Sequence, residues 1–224
     1  MAKVLIAVKS CHDDLKQGCH DTILQTWGKD FSLSNSDLRF FVGRPYEGLF
    51  HEKTADLDVE DDYDHLPQKT KRILQWSVGR NYDFTFLCDV DTFLVPYKLF
   101  QTDFQNYDYS GRFGSEPKIG TTFQYKDGRG IRHEHCHPWA SGGFGYFLSR
   151  KVAQIVINTE SKMWAEDMMV GSCLGKRIQT KEITAADLQN FENIASWHYP
   201  AHKLGWSRET MQRWMRQMYE TNKV

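Results

Sequence analysis

Residues 84–95 read FTFLCDVDTFLV, an apolar run interrupted by two carboxylates, Asp89 and Asp91, on either side of a valine. Phe, Thr, Leu and Val in succession predict a strand. Apolar side chains on both of its faces place that strand inside a sheet covered by helices. The two aspartates then fall at its carboxyl end. Buried without partners they would cost several kcal/mol, so the stretch predicts that something meets them.

Upstream, KVLIAV (3–8) predicts a first strand and HDDLKQGCHDTILQTWG (12–28) a helix that stops near Gly28. LRFFVG (38–43) predicts a second strand, closed by glycine and then Pro45. The acidic segment EKTADLDVEDDYDHL (52–66) reads as a surface loop leading into the helix PQKTKRILQWSVGR (67–80), with Pro67 in its first turn. Residues 106–138 are rich in glycine and lose periodicity, which predicts long loops or a small hairpin. Loops of that length in a compact domain are usually functional. GFGYFLSRKVAQIVI (143–157) restores a strand and then a helix; WAEDMMVGSCLGK (164–176) predicts a helix beginning near Glu166 and Asp167, and RIQTKEI (177–183) a last strand. SRETMQRWMRQMYE (207–220) opens with a serine cap and Glu209 and predicts a basic helix carrying Trp214. Strands alternating with helices make an α/β fold whose crevice lies at the carboxyl ends of the strands, where the DVD stretch sits.

With 224 residues, 40% hydrophobic, 25% charged and a net charge of −1, the chain has the composition of one ordinary globular domain spanning 1–224. Nothing global in its charge draws it to nucleic acid or an anionic membrane. MAKVLIAVKS turns polar too quickly for a secretory signal, and no apolar run reaches the roughly 18 residues of a membrane span. A cytoplasmic location is expected. Cys11, Cys19, Cys88, Cys136 and Cys173 are odd in number and lack paired spacing, which fits free thiols in a reducing compartment and predicts no zinc site. In HEHCHPW (133–139) the histidines at 133, 135 and 137 alternate as on an extended strand with Cys136 opposed, and no second cluster completes a tetrahedron.

Aspartates one residue apart occur three times, at Asp56/Asp58, Asp62/Asp64 and Asp89/Asp91. The first two lie in the acidic segment, where a solvated surface explains them. The third follows a buried strand, where neighbouring carboxylates repel unless a cation sits between them. Mg2+ or Mn2+ suits that place, since hard divalent ions prefer oxygen ligands and keep positions that substrate phosphates fill. Strand-end capping or ion pairing is the competing reading.

CDVDTF after a hydrophobic strand resembles the metal motif of GT-A glycosyltransferases. LIAVKS followed by TILQTWG is similar to the opening strand and I-R-x-T-W helix of family 31, the β1,3-galactosyltransferase, N-acetylglucosaminyltransferase and Fringe relatives. FFVG resembles that family's second strand, and DDYDHLPQKT its D-x-Y-x-x-L-x-x-K-T signature. ASGGFGYFLS resembles its S-G-G-x-Y-x-L-S block, and EDMMVGSCL its E-D-V-x-V-G-x-C-L block. Six blocks in the family's order over about residues 4–175 carry the resemblance.

The resemblance implies a single Rossmann-like domain with a mixed central sheet flanked by helices. About 1–95 would bind the nucleotide, and about 96–224 the acceptor, ending in the basic helix. It implies a metal-dependent inverting hexosyl- or pentosyltransferase using a nucleotide sugar, UDP-linked. Such a reaction needs the leaving diphosphate neutralised, the acceptor hydroxyl deprotonated and water excluded. Asp91 is then the direct ligand of Mn2+ or Mg2+, Asp89 faces the ribose or a metal-bound water, and His198 is the third ligand, with His202 second choice. Asp167 takes the general-base position and Glu166 is the fallback. A plain helix-start charge, stabilising by about 0.3–1 kcal/mol, is the alternative for Asp167.

Lys69 lies near the donor phosphates by the same resemblance, against a reading as an exposed helix lysine. Lys9 and Ser10 are available to the nucleotide. Ser141, Gly142 and Gly143 let the backbone approach donor or acceptor, or simply turn into the next strand. HEHCHPW becomes a candidate acceptor loop. The chain departs from the family at Val90, where a third aspartate is frequent, and in its opening helix, which has Cys19, His20 and Leu24 in place of arginines. It also lacks the membrane anchor of eukaryotic relatives, which implies a bacterial or viral enzyme or a trimmed domain.

The acceptor is a glycan, a small molecule or a hydroxymethylated base in viral DNA. For DNA, Lys203, Arg208, Arg213, Arg216 and Lys223 with Trp206 and Trp214 offer charge and stacking. A non-catalytic sugar-nucleotide or glycan-binding module is the rival class, which Asp89, Asp91, Lys69 and Asp167 together argue against.

Overall fold

The computed structural model describes residues 2–33, 35–44, 52–188 and 191–223. At its centre β1 (Val4–Lys9) runs parallel to β2 (Ser36–Arg44) on one side and to β4 (Phe84–Asp89) on the other. β3 (Thr54–Glu60) extends the parallel set beyond β2. β9 (Tyr146–Ser149) lies antiparallel to β4, followed by β6 (Tyr109–Gly111) and β10 (Ala185–Asp187). The seven strands form one mixed sheet in the order β10-β6-β9-β4-β1-β2-β3. As expected from 84–95, β4 lies inside it.

Every residue of β1 is buried, because alternation sends Val4, Ile6 and Val8 to one face and Leu5 and Ala7 to the other. Helix α2 (Cys19–Gln25) and helix α8 (Arg208–Asn222) cover the first face with Cys19, Ile23, Met211 and Met215. The second face is covered by α3 (Leu66–Gly79), α5 (Arg150–Asn158) and α6 (Glu166–Gln179), through Ile73, Leu74, Val152, Val156, Met169 and Leu174. Helix α8 starts at its predicted cap, where the Ser207 hydroxyl accepts from the Thr210 N–H at 3.1 Å. It is tied back to the N-terminal segment by Arg208 to Asp14 at 2.6 Å and by Gln212 to the Gln17 carbonyl at 2.7 Å.

Three expected elements come out differently. The helix predicted over 12–28 is two, α1 (His12–Lys16) and α2, because Gly18 sits at φ +74° and breaks the run. A 3-10 turn (Trp27–Leu33) follows. The acidic segment read as surface loop contains β3, whose Leu57 and Val59 face inward while Asp56, Asp58 and Glu60 face solvent. RIQTKEI is not a strand: Arg177 to Gln179 finish α6, and the strand is β10. Pro45 lies outside the described residues.

Within 106–138 the chain forms β6 and the hairpin β7 (Phe123–Lys126) and β8 (Arg132–Cys136). Asp127 closes that hairpin by accepting from the Arg129 and Ile131 N–H groups, both at 2.9 Å, and by pairing with the His133 ring at 2.8 Å. All five cysteines are free thiols. Among the described residues no helix is long and apolar enough to cross a membrane.

The strip from His137 to Gly143 follows the hairpin and lies along α6. Gly171 and Gly175 of that helix make the contact possible. A Cβ on Gly171 would stand 2.8 Å from the Trp139 Cβ, and one on Gly175 would run into the root of the His137 ring. Gly175→Ala is therefore expected to cost about 1–3 kcal/mol by overpacking. Urea unfolding would read this as a lower midpoint at unchanged slope.

Candidate active site

Parallel register fixes the first part of the site. Lys9 and Asp89 are partners across β1 and β4 at the carboxyl ends of both strands, so their side chains share the face that α6 covers. The Lys9 ammonium lies 3.1 Å from Asp89 and is bonded to Glu166, in the first turn of α6. Burial by itself would lower the Lys9 pKa, but the charges of Asp89 and Glu166 reverse the sign and hold it well above the usual value. Glu166 is also bonded by the Tyr146 hydroxyl at 2.6 Å and by Thr70 at 3.4 Å. Its oxygens are thus all engaged within the protein.

Asp167 is the next residue of α6 and is differently placed. One carboxylate oxygen takes the Gly142 N–H at 3.2 Å and the other the Met168 N–H at 2.7 Å. Burial, then the neighbouring Glu166 charge, pushes its carboxyl up from 3.8 to about 6. A helix start favours negative charge, yet here desolvation dominates.

Asp91 follows β4 in a tight turn. The chain then enters β5 (Thr92–Leu94), which pairs antiparallel with β11 (Ser196–His198), so that Thr92 faces His198. That ladder brings a histidine more than a hundred residues away to within 3.3 Å of the Asp91 carboxylate. The hydrogen bond to Asp91 raises the His198 pKa although burial opposes it. Gly143 lies under the imidazole, where a Cβ would stand 2.8 Å from the ring. The Asp89 carboxyl is pushed up, by burial first and by Asp91 among the charges, with Lys9 pulling the other way.

These residues line one cleft of about 490 Å3, together with Ser10, Lys69, Gly142, Tyr63 and Trp206. Of the residues expected from sequence, Lys9, Ser10, Lys69, Asp89, Asp91, Gly142, Gly143, Glu166, Asp167 and His198 meet there. Ser141 does not: it lines a neighbouring hollow. His202 lies in a separate depression on the far side of His198. The Lys69 ammonium, 1% exposed as a residue, bonds Asp61 at 2.5 Å and the Ser10 carbonyl at 2.8 Å. His20 stacks on Phe40 and bonds the Ser10 hydroxyl at 2.7 Å, fully buried.

Four contributors escaped the sequence reading. Asp61 holds Lys69 and accepts from the Gly43 and His12 N–H groups at 2.8 and 2.7 Å. Burial opposes its ionisation, but Lys69 and those amides hold its carboxyl below the usual range. Thr70 and Tyr146 orient Glu166, and Tyr63, 63% exposed, stands at the cleft mouth. A signal existed for all four: Asp61, Tyr63 and Thr70 are the D, Y and T of the quoted D-x-Y-x-x-L-x-x-K-T block, and Tyr146 is the tyrosine of ASGGFGYFLS.

Residues 22–184 match the family model described as Galactosyltransferase. The chain belongs to that family. It is therefore a glycosyltransferase. A glycosyltransferase involved in the glycosylation of the major capsid of PBCV-1 superposes with a TM-score of 0.55 at 11% identity, covering 96% of this chain and 98% of that one. The galactosyltransferase LgtC, solved in complex with donor and acceptor sugar analogs, gives 0.51 at 12% identity, covering 98% and 96%. Likeness at such identities is one of fold, and the fold is GT-A. No curated protein matches the chain in sequence.

In this galactosyltransferase-family chain the metal question rests on the donor set. Among the described residues no three His, Cys, Asp or Glu groups form a ready-made metal cage. Asp91 and His198 nevertheless bring a carboxylate oxygen and an imidazole nitrogen within 3.3 Å of each other, a donor set that a divalent cation can take once the imidazole has given up its proton. Carboxylate oxygen and imidazole nitrogen fit Mn2+, and phosphate oxygens fit the remaining positions. Arg208, Arg213, Arg216 and Lys223 are bonded to Asp14, Glu209, Thr22 and Glu220.

Lys9→Met would leave Asp89 and Glu166 without their shared counter-ion. A loss of about 3–5 kcal/mol in stability is expected, and adding Glu166→Gln should recover part of it. Urea unfolding of the single and double variants measures both effects.

Proposed function

We propose that this enzyme transfers a hexose, with inversion, from a UDP-linked donor to an acceptor hydroxyl, with Asp167 as general base. The observation that carries the proposal is Asp167 itself. It is the carboxylate of the cleft that two backbone N–H groups orient while burial brings it to about 6, near the operating pH that general-base catalysis favours. Glu166 is committed to Lys9, Tyr146 and Thr70 and is not the base.

The acceptor hydroxyl gives its proton to Asp167 while its oxygen bonds the anomeric carbon from the face opposite the diphosphate. The carbon–oxygen bond to the diphosphate breaks, and its electron pair leaves with UDP. Asp91 and His198 would hold Mn2+ or Mg2+, with Asp89 beside them. That ion would supply positive charge for the leaving diphosphate. Ser10, which follows β1, lines the cleft and would border the nucleotide, and Gly142 and Gly143 line the same cleft where the sugar would sit. The family's name points to galactose as the first donor to test.

Because Asp167 must be ionised to act, kcat/KM should rise roughly tenfold per pH unit up to about 6 and then level. Asp167→Asn should lower kcat by about 10²–10⁴, with UDP-galactose binding in Mn2+ retained. Turnover within tenfold of wild type, or a flat profile from pH 5 to 7.5, would overturn the assignment.

Stability moves in the opposite sense. The folded pKa lies above the ordinary 3.8, so the folded state binds more protons between about pH 4 and 6 and loses stability as pH rises through that window. As pH rises from about 4 to 6 the wild-type Tm should therefore fall relative to that of Asp167→Asn, which cannot ionise, and calorimetry of both proteins across that window measures the difference.

Asp91→Asn and His198→Ala should each weaken Mn2+-dependent donor binding by tenfold or more. Isothermal titration with UDP in the presence and absence of Mn2+ checks it, and unchanged Mn2+ dependence in both variants would remove the metal role.

A further inference from the structure

Tyr63 is 63% exposed, yet one side of its ring is packed on Trp164, with centroids 5.5 Å apart at 49°. Trp164 is gripped in turn. The Arg129 guanidinium lies over its ring at 4.8 Å, and Gly128 passes so close that a Cβ there would stand 3.3 Å from the indole. Arg129 also forms an ion pair with Asp64, the residue next to Tyr63. We propose that Tyr63 is the seal of the cleft, a ring that keeps water from the reacting carbon once donor is bound, and that the tip of the β7–β8 hairpin holds it there through Trp164 and Arg129. The proposal rests on the reading of the cleft as a nucleotide-sugar site and adds the residues that close it.

Placement carries the first part. Tyr63 lines the cleft together with Asp89, Asp91, Gly142 and Asp167. Its phenol end is the sheltered end: burial, then the charges of Asp89, Asp167 and Glu166, raise its pKa although most of the residue meets solvent. A large ring left in water forgoes the stabilisation that burial would bring. A donor in the cleft would cover the ring and be covered by it.

Transfer chemistry needs such a part. In the acceptor's absence a water oxygen can bond the anomeric carbon, its proton passing to Asp167. The carbon–oxygen bond to the diphosphate breaks, the electron pair leaves with UDP, and the sugar is lost as the free hexose. Excluding water from the closed site prevents this side reaction.

The support joins three segments that are distant in sequence. The loop carrying Tyr63 follows β3, Gly128 and Arg129 form the hairpin tip, and Trp164 comes two residues before Glu166 and three before Asp167. The tip itself is firm, because the buried Asp127 accepts from the Arg129 and Ile131 N–H groups and pairs with the His133 ring. Trp164 thus places the seal and the base in one frame. The outer link is weak by contrast. Both side chains of the Asp64–Arg129 pair are exposed, and such pairs contribute little and are screened by salt. A weak outer link suits a seal that must open for donor to enter and UDP to leave.

Hydrolysis of UDP-galactose by the full chain with Mn2+ and no acceptor, followed as UDP release, tests the proposal, with UDP-glucose and UDP-N-acetylglucosamine as further donors. Tyr63→Ala should raise hydrolysis of at least one donor tenfold or more, while Tyr63→Phe, which keeps the ring, should stay close to wild type. Trp164→Ala and Arg129→Ala should raise it by smaller factors, and added NaCl should speed hydrolysis by wild type but not by Arg129→Ala. Hydrolysis of every donor unchanged in Tyr63→Ala, with or without a lower Tm, would overturn the seal, since a role confined to folding moves Tm alone. Tyr63→Phe as leaky as Tyr63→Ala would do the same. Isothermal titration with UDP and Mn2+ separates the two readings: binding by wild type with unchanged hydrolysis in Tyr63→Ala overturns the seal alone, and absence of binding overturns both.

Discussion

A single buried ammonium organises this enzyme. Lys9 is 3% exposed and lies between Asp89, on the neighbouring strand, and Glu166, at the head of α6. Glu166 could not be buried there without it, since an uncompensated buried charge costs several kcal/mol, whereas Asp89 keeps 36% of its side chain exposed to the cleft. The ion group therefore fixes the ends of β1 and β4 against the start of α6. It also sorts four neighbouring acids into two kinds. Asp89 and Glu166 share the lysine, while Asp91 pairs with His198 and Asp167 with two backbone N–H groups. A second lysine acts in the same manner: Lys69 holds Asp61 and the carbonyl of Ser10, and so pins the loop after β3 to the end of β1.

The wall opposite these ions is made of main chain. From His137 to Gly143 one strip touches α6 through Gly171 and Gly175, donates to Asp167 through the Gly142 amide, and supports the His198 ring at Gly143. A Cβ at Gly142 would stand 2.6 Å from the Glu166 carboxylate, and one at Gly143 would meet the His198 ring. Backbone amides are also rigid donors that lose little freedom when they orient a carboxylate.

Much of the fold was legible because burial leaves a plain pattern. A run apolar on both faces gave β4 its place inside the sheet, and Ser207 with Glu209 marked the start of α8 to the residue. The carboxylates at 89 and 91 were visible because acids at the end of a buried strand need a reason, and those at 166 and 167 because EDMMVGSCL resembles a block of the family. What was hidden depended on tertiary contacts. Strand β3 has its inward Leu57 and Val59 diluted by exposed acids, so its period of two was masked by composition. The pairing of His198 with Asp91 depends on the β5–β11 ladder, two three-residue strands too short to carry a periodic signal. The contacts of Arg208 with Asp14 and of Arg216 with the Thr22 hydroxyl were unreadable for the same reason, since the partners are distant in sequence.

The β5–β11 ladder also orders the birth of the site in time. A ribosome delivers Lys9, Asp89, Asp91 and Asp167 well before residues 196–198, and the chain emerges at about 5–20 residues per second. Until His198 has emerged, Asp91 lacks its imidazole partner, and until Trp206 follows the cleft lacks part of its wall. A nascent chain can thus assemble most of its sheet while the cleft between Asp91 and Asp167 is still open on one side.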